Sequence, residues 1–293
     1  MRRSKNKIRQ SFGSNLFDVI NICILVFLGI TTIYPFWGTL VISVSSLKSY
    51  LISRFHLWPI EFSFESYLYM FRYSELWISY RNTIFITIVG TFINMLITML
   101  AAYVLSKKEL KGQLVIMFLF VFTMLFSGGI IPTYIIVRNL KLMNTLWALI
   151  IPSAINTYNL IILRNFFSAM PRDIEESAII DGCNEIGVLF RIVMPVSKPA
   201  ITTIALFYAV EHWNGFFSAI LYLTRRSLHP LQLFLRSMLF QTDAIFSGGE
   251  SLYLMGEPMK MATIVLAVLP IMCFYPFFQK YFTQGVMLGA IKG

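Results

Sequence analysis

Six runs of roughly twenty or more predominantly apolar residues constrain this chain more than any other feature. They cover residues 16–42, 83–105, 114–137, 145–166, 200–223 and 262–282. A helix needs about 20 apolar residues to cross the hydrocarbon of a bilayer, where every backbone N–H and C=O must be satisfied within the protein. Each run therefore predicts a membrane-spanning helix. The fold class that follows is all-α, a polytopic membrane protein with six transmembrane helices. Composition agrees, because 57% of the 293 residues are hydrophobic and only 13% are charged, against about 25% charged in soluble domains. The first run is too long for the apolar part of a signal peptide and lacks a small-x-small cleavage site. It reads as a retained span.

The net charge of +10 does not point to nucleic acid. Arg2, Arg3, Lys5, Lys7 and Arg9 sit in the tail 1–15, and most other basic residues flank apolar runs, as the positive-inside rule requires. The tail and the connector Ser106–Gly112, with Lys107, Lys108 and Lys111, are the most basic connectors and are assigned to the cytoplasm. Six spans then put the C-terminus on the same side. Arg138 and Lys141 lie in a loop assigned outward, two charges against eight in the tail and first inner loop. The longer connectors 43–82 and 224–261 also face outward. The first carries Trp58, Tyr67, Tyr69, Phe71, Tyr73 and Trp77, which fit either an interface belt or a carbohydrate-stacking surface.

Several chemistries are missing. The chain has no G-x-x-x-x-G-K-[ST] motif, so it has no P-loop for ATP. His56, His212 and His229 are scattered, and no hydrolase or metalloprotease motif occurs. Cys23, Cys183 and Cys273 lack metal-ligand spacing and read as apolar filler.

One connector carries both charge and a turn. Glu176-Ser177-Ala178-Ile179-Ile180-Asp181-Gly182 is followed after nine residues by Ile192-Val193-Met194-Pro195. Its first half predicts a short amphipathic helix, with Ala178 and Ile179 as an apolar patch and Glu175, Glu176 and Asp181 in water. Gly182 stops that helix, and Pro195 and Pro199 punctuate the chain beyond it.

This segment resembles the cytoplasmic signature loop of binding-protein-dependent ABC importer permeases, E-A-A, three residues, G, nine residues, I-x-L-P, with Ser177 and Met194 as the departures. Phe207-Tyr208-Ala209-Val210-Glu211-His212-Trp213-Asn214 contains a Trp-Asn pair similar to that of carbohydrate importers of the maltose type, and residues 285–293 look like the tail of the second maltose permease. The runs Phe126–Tyr134 and His229–Leu233 are similar to a subgroup linked with complex, uronate-containing oligosaccharides. The resemblance covers nearly the whole chain. It implies a permease core at 83–293, with an ATPase-coupling loop at 170–198 and a C-terminal tail at 283–293, beside a peripheral part, 16–82. It also implies a bacterial inner-membrane importer with termini inside, a second homologous permease, two copies of a cytoplasmic ATPase, and an extracytoplasmic solute-binding protein. ATP and Mg would sit on the ATPases, and this chain would bind no cofactor.

Within that frame, Glu176, Ser177, Ala178, Asp181, Gly182, Ile192 and Pro195 form the coupling site. Ala178 and Ile179 would fill an apolar cleft on the ATPase, Glu176 would pair with a basic residue on its rim, and Gly182 would allow close backbone approach. Gly289, Lys292 and Gly293 in the tail would reach between the two ATPases. Tyr208, Glu211, Trp213 and Asn214 form the candidate pathway. Polar groups at membrane depth are functional candidates by default, and spacing of three puts Glu211 and Asn214 on one helix face. They face sugar hydroxyls, the second permease or the outer interface, and Glu211 sits uneasily with an anionic sugar. Asn94, Thr98, Ser127, Asn156, Thr157 and Asn159 read as packing groups. The Ser127-Gly128-Gly129…Pro132 stretch either unwinds the third span or kinks it. The predicted function is a permease subunit of an ATP-driven oligosaccharide importer. The alternatives are a permease for a non-sugar solute, an ion-coupled secondary transporter in which only Glu211 fits the needed charges, and a membrane enzyme.

Overall fold

A computed structural model describes residues 12–53, 55–245 and 256–290, which are helical apart from short connectors and one isolated bridge between Ser45 and Phe62. The chain divides into two compact units, Met1–Met70 with Thr242–Leu266, and Phe71–Gln241 with Ala267–Gly293.

In the first unit, helix α1 (Phe12–Ser43) is predominantly apolar, and its most apolar 18-residue stretch is not buried by any described residue. A helix with so few polar residues has little water-facing side to present, so lipid is its natural solvent. Two short helices follow, α2 (Leu47–Ile52) and α3 (Glu65–Arg72). The Ser46 hydroxyl caps α2 by accepting from the Ser49 N–H at 3.1 Å.

The second unit is built along α4 (Ser74–Ser106). Every fourth residue on one of its faces is buried: Asn82, Ile86, Gly90, Asn94, Thr98, Ala102 and Ser106. Small and polar residues in such a row let helices approach closely and supply hydrogen bonds between them. Asn94 Nδ2 donates to the Ser153 carbonyl at 3.0 Å, and Asn82 Nδ2 donates to the Ser227 and His229 carbonyls at 3.0 and 3.2 Å. Gly90 marks the tightest point, where a Cβ would lie 2.5 Å from His212 Nε2. Gly90→Ala is therefore expected to cost about 1–3 kcal/mol of overpacking. It should lower the thermal inactivation midpoint of the purified complex, and His212→Ala in the same chain should recover part of the loss.

The third apolar run is two helices, α5 (Gln113–Leu125) and α6 (Ile130–Asn139), which meet at 112°. They are about 20 and 15 Å long at 1.5 Å per residue, so neither crosses about 30 Å of hydrocarbon alone. Gly129 makes the break, at φ +84° and ψ −178°, a region only glycine occupies freely. In the fourth run, 3₁₀ turns over Leu146–Ser153 lead at 49° into α7 (Thr157–Ser168). Asn156 caps α7 by accepting from the Tyr158 and Asn159 N–H groups. The connector that follows holds α8 (Arg172–Ile180), α9 (Glu185–Val188) and α10 (Met194–Val196), and it meets α11 (Lys198–Asn214) at 89°.

The fifth apolar run is not one helix. It ends at Asn214, passes through an extended Gly215, and resumes as α12 (Phe217–Tyr222). Beyond α13 (Leu231–Ile245), the last helix, α14 (Gly256–Ala290), starts before the predicted residue 262 and remains helical through most of the expected tail. Among the described residues, three helices are long and apolar enough to cross a membrane unaided, and three bent pairs raise the count to as many as six.

The core of the second unit joins elements that the sequence keeps apart. Met99 and Tyr103 of α4, Leu163 and Phe167 of α7, and Ile204 and Tyr208 of α11 form one cluster with Ala178, Val188, Leu189 and Val193 of the connector.

Candidate functional site

Helix α8 is shaped by local chemistry. Pro171 precedes it, and Asp173 and Glu175 lie in its first turn, where negative charge complements the helix dipole. Its far end is closed by two reversed hydrogen bonds. The Cys183 N–H donates to the Ala178 carbonyl at 2.9 Å, and the Gly182 N–H donates to the Ile179 carbonyl at 3.0 Å. This closure needs a left-handed residue, which Gly182 supplies at φ +86°. A Cβ at Gly182 would meet open space within this chain, so the demand for glycine here comes from the backbone. Asn184 Oδ1 then caps α9 by accepting from the Gly187 N–H at 2.8 Å. Leu189–Val193 forms a π-helical turn whose i+5 spacing widens the chain just ahead of Pro195. A regular α-turn would drive the Pro195 ring into the Arg191 carbonyl. Ile192 lies in that turn, half-buried, and Pro195 is exposed in α10.

Two expectations for this loop are corrected. Ala178 does not belong to an outward apolar patch; it is buried in the core shared with α4, α7 and α11. A nine-residue helix lying on the ends of the spans must bury one face, and the small Ala178 side chain lets it sit close. Nor does Glu175 stay in water. Its side chain is 12% exposed and pairs with Lys107. The face turned away from the spans carries Glu176, Ser177, Ile179, Asp181 and Gly182, with Ile180 at 85% exposure. Ile186 adds a further exposed apolar side chain.

The contacts that hold α8 come from the other end of the sequence-predicted inner face. Lys107 Nζ pairs with Glu175, lies 3.8 Å from Glu185 Oε2, and sits 4.4 Å from the centre of the Tyr103 ring. The Tyr103 hydroxyl donates to Glu185 Oε2 at 2.8 Å, and Arg172 pairs with Glu109. Arg164 Nε donates to the Leu105 carbonyl at 3.0 Å, satisfying an acceptor at the end of α4. Burial by itself pulls the Lys107 ammonium down. The hydrogen bond and charge of Glu175 outweigh it and hold the pKa above the usual lysine value. The Glu109 carboxyl is held below the usual glutamate value, first by its own backbone N–H and then by Arg172. None of these residues was singled out for coupling from sequence. The available signal was charge complementarity between two short connectors on one side, Lys107 and Glu109 against Glu175 and Arg172.

The candidate pathway residues do not form one group. Tyr208 is fully buried, shares a 2.8 Å hydrogen bond with Thr98 Oγ1, and accepts from the Asn156 N–H at 3.0 Å. It ties α11 to α4 and to the cap of α7, and offers nothing to a solute. Thr98 and Asn156 likewise act in packing, as expected. Because α11 ends at Asn214, Glu211 and Asn214 lie exposed in its last turn rather than inside one continuous helix. Asn214 Nδ2 donates back to the Val210 carbonyl at 3.0 Å. Trp213 is buried beside them, and its Nε1, like His212 Nε2, has no hydrogen-bond partner among the described residues. In the tail, Gly289 lies in the final helix, while Lys292 and Gly293 lie outside the described residues.

This arrangement is a mechanical one: a short, firmly seated helix with an exposed outer face, joined through one core to three spanning elements. Comparison with known proteins gives it a place. The chain is 42% identical over 285 residues to the polygalacturonan/rhamnogalacturonan transport system permease protein YtcP of Bacillus subtilis, covering 96% of this chain and 99% of that protein. It is 44% identical over 284 residues to protein LplC of the same organism, covering 96% of each. Among solved structures it is similar to a chain in the crystal structure of a bacterial ABC transporter involved in the import of the acidic polysaccharide alginate. That match has a TM-score of 0.86 and 31% identity, covering 94% of this chain and 100% of that one. Residues 76–288 match the sequence profile of binding-protein-dependent transport system inner membrane components, and the chain belongs to that family.

Proposed function

We propose that this chain is one permease half of an ATP-driven importer for acidic oligosaccharides in a bacterial cytoplasmic membrane, with both termini inside. A second, homologous permease completes the pathway, an extracytoplasmic binding protein delivers the solute, and two ATPase subunits carrying ATP and Mg dock on the outer face of α8. The observation that carries this reading is the seating of α8. Ala178, Val188, Leu189 and Val193 lie in one buried cluster with α4, α7 and α11. Close-packed interiors have low compressibility and transmit displacement. A push on Glu176, Ile180 and Asp181 therefore moves the spans and does not dissipate in a loop. The breaks at Gly129 and before Asn156 and Lys198 supply the joints at which spans can change angle.

The acidic substrate class is supported by the names of the relatives, one a polygalacturonan/rhamnogalacturonan permease and another an importer of alginate. A relative at 25% identity, from Halalkalibacterium halodurans, is named for arabinooligosaccharides, which keeps the oligosaccharide class while relaxing the charge. The test is ATP turnover of the reconstituted transporter with its binding protein, across matched neutral and uronate-containing oligosaccharides. Stimulation by the uronate-containing set is expected. Stimulation by neutral sugars alone would overturn the acidic assignment and leave the importer reading in place, and indifference to both sets would overturn the sugar reading.

A further inference from the structure

Residues 55–64 of the first unit carry an apolar surface that stays exposed among the described residues. Phe55, Leu57, Trp58, Ile60, Phe62 and Phe64 are all exposed, and His56 and Glu61 are the two titratable side chains among these ten positions. An exposed apolar cluster of this kind marks an interaction surface. Its position relative to α1 is fixed. Trp37 Nε1 donates to the Leu57 carbonyl at 2.8 Å, the Trp37 and Trp58 rings lie 6.4 Å apart, and Phe62 meets Trp58 edge-on at 6.0 Å. The segment therefore runs back alongside the last turns of α1 instead of projecting beyond it.

That position sets its depth. No charged residue occurs between Asp18 and Lys48. A hydrocarbon layer of about 30 Å centred on this stretch places Trp37 within roughly two helical turns of its edge. The backbone suits such a place, where water is scarce. The Ile60 and Glu61 N–H groups donate to Ser49 Oγ at 3.0 and 3.3 Å, and the Ser63 N–H donates to the Val44 carbonyl at 2.8 Å. The Ser46 N–H donates to the Glu61 carbonyl at 3.3 Å, and the Ser46 hydroxyl donates to the Glu61 carboxylate at 2.9 Å. Inward polar groups are paired, and the outward side is aromatic and aliphatic. Tryptophan and phenylalanine on one face, with few charges, are the chemistry of a segment lying at a membrane interface.

We propose that residues 55–64 are a lipid-binding anchor that lies in the membrane interface at the C-terminal end of α1 and fixes the depth of that helix. The complete transporter, with all its subunits, tests this in liposomes after Cys23, Cys183 and Cys273 are replaced by serine. A spin label at Ile60→Cys is compared with one at Lys108→Cys for collision with oxygen, which concentrates in lipid, and with a water-soluble nickel chelate. The expected oxygen-to-nickel ratio at position 60 exceeds that at position 108 by roughly an order of magnitude. A ratio equal to that at position 108 would overturn the proposal in favour of a water-exposed loop. Low accessibility to both reagents would overturn it in favour of a protein partner covering the patch. Should the label disturb folding, Trp58 in the otherwise native chain reads the same property. Brominated lipid should quench a fluorescence component that Trp58→Phe removes, and quenching identical in the two proteins counts against the anchor.

Discussion

Replacing Gly182 with valine is expected to reduce ATP-driven uptake by an order of magnitude or more while the permease still reaches the membrane and assembles. The left-handed conformation at φ +86° costs an ordinary L-residue about 1–2 kcal/mol, and a β-branched one more. The last turn of α8 would unwind to escape that cost. Ile179, Ile180 and Asp181 would leave the positions from which they face outward. The spans should be unaffected, because no described atom lies within 4 Å of where a Cβ at Gly182 would sit. Asparagine tolerates left-handed dihedrals, so Gly182→Asn should retain much of the activity. Uptake into proteoliposomes, measured beside co-purification of the ATPase, separates the cases. If asparagine is as damaging as valine, bulk against the partner matters and backbone conformation does not.

Breaking the Lys107–Glu175 pair is expected to uncouple the two activities, so that ATP is still hydrolysed while uptake falls severalfold. Lys107→Met leaves a carboxylate that is 12% exposed without its partner. Removing one member of a fully buried pair costs about 3–5 kcal/mol, and the partial exposure here reduces that to about 2–3 kcal/mol. Glu175→Gln strands the ammonium, although Glu185 and the Tyr103 ring remain near it. The double variant Lys107→Met/Glu175→Gln should lose less than the two single losses combined, because no unpaired charge remains. A strictly additive double variant would show that the pair does not hold α8. The raised pKa of Lys107 fixes the pH behaviour from its side. Its contribution is fully present below the unfolded lysine value of about 10.4 and is lost only as pH rises through the still higher folded value. Coupling should therefore not weaken through this group across the neutral range.

The features legible in the sequence were the locally determined ones. Apolar runs located α1, α4 and α14, since burial in lipid requires them whatever their neighbours. Their ends were not legible, because a helix such as α4 continues into the polar phase from Ser74, where hydropathy falls but hydrogen bonding persists. Gly128-Gly129 announced an interruption, but an angle of 112° depends on what α5 and α6 pack against. The short helix α8 and its glycine stop were readable from seven residues. The buried face was not, because Ala178, Ile179 and Ile180 are all apolar and only the tertiary contact selects Ala178. Tyr208 was placed on the pathway by its spacing from Glu211. Its true partners, Thr98 and Asn156, are distant in sequence and unsatisfied without it. The unpredicted ion pairs likewise join connectors that no local pattern links.

The central claim is that the outer face of α8 is where the ATPase grips. Cross-linking in the complete transporter tests it most directly, using Ile180→Cys in a chain with Cys23, Cys183 and Cys273 replaced by serine. The reagent is a benzophenone maleimide, whose maleimide takes the thiol introduced at position 180 and whose photoactivated ketone inserts into a nearby C–H bond. The account predicts a permease–ATPase adduct from Ile180, which is 85% exposed, and none from the buried Ala178→Cys. A transporter that imports its sugar yet gives no adduct at Ile180 would contradict the account.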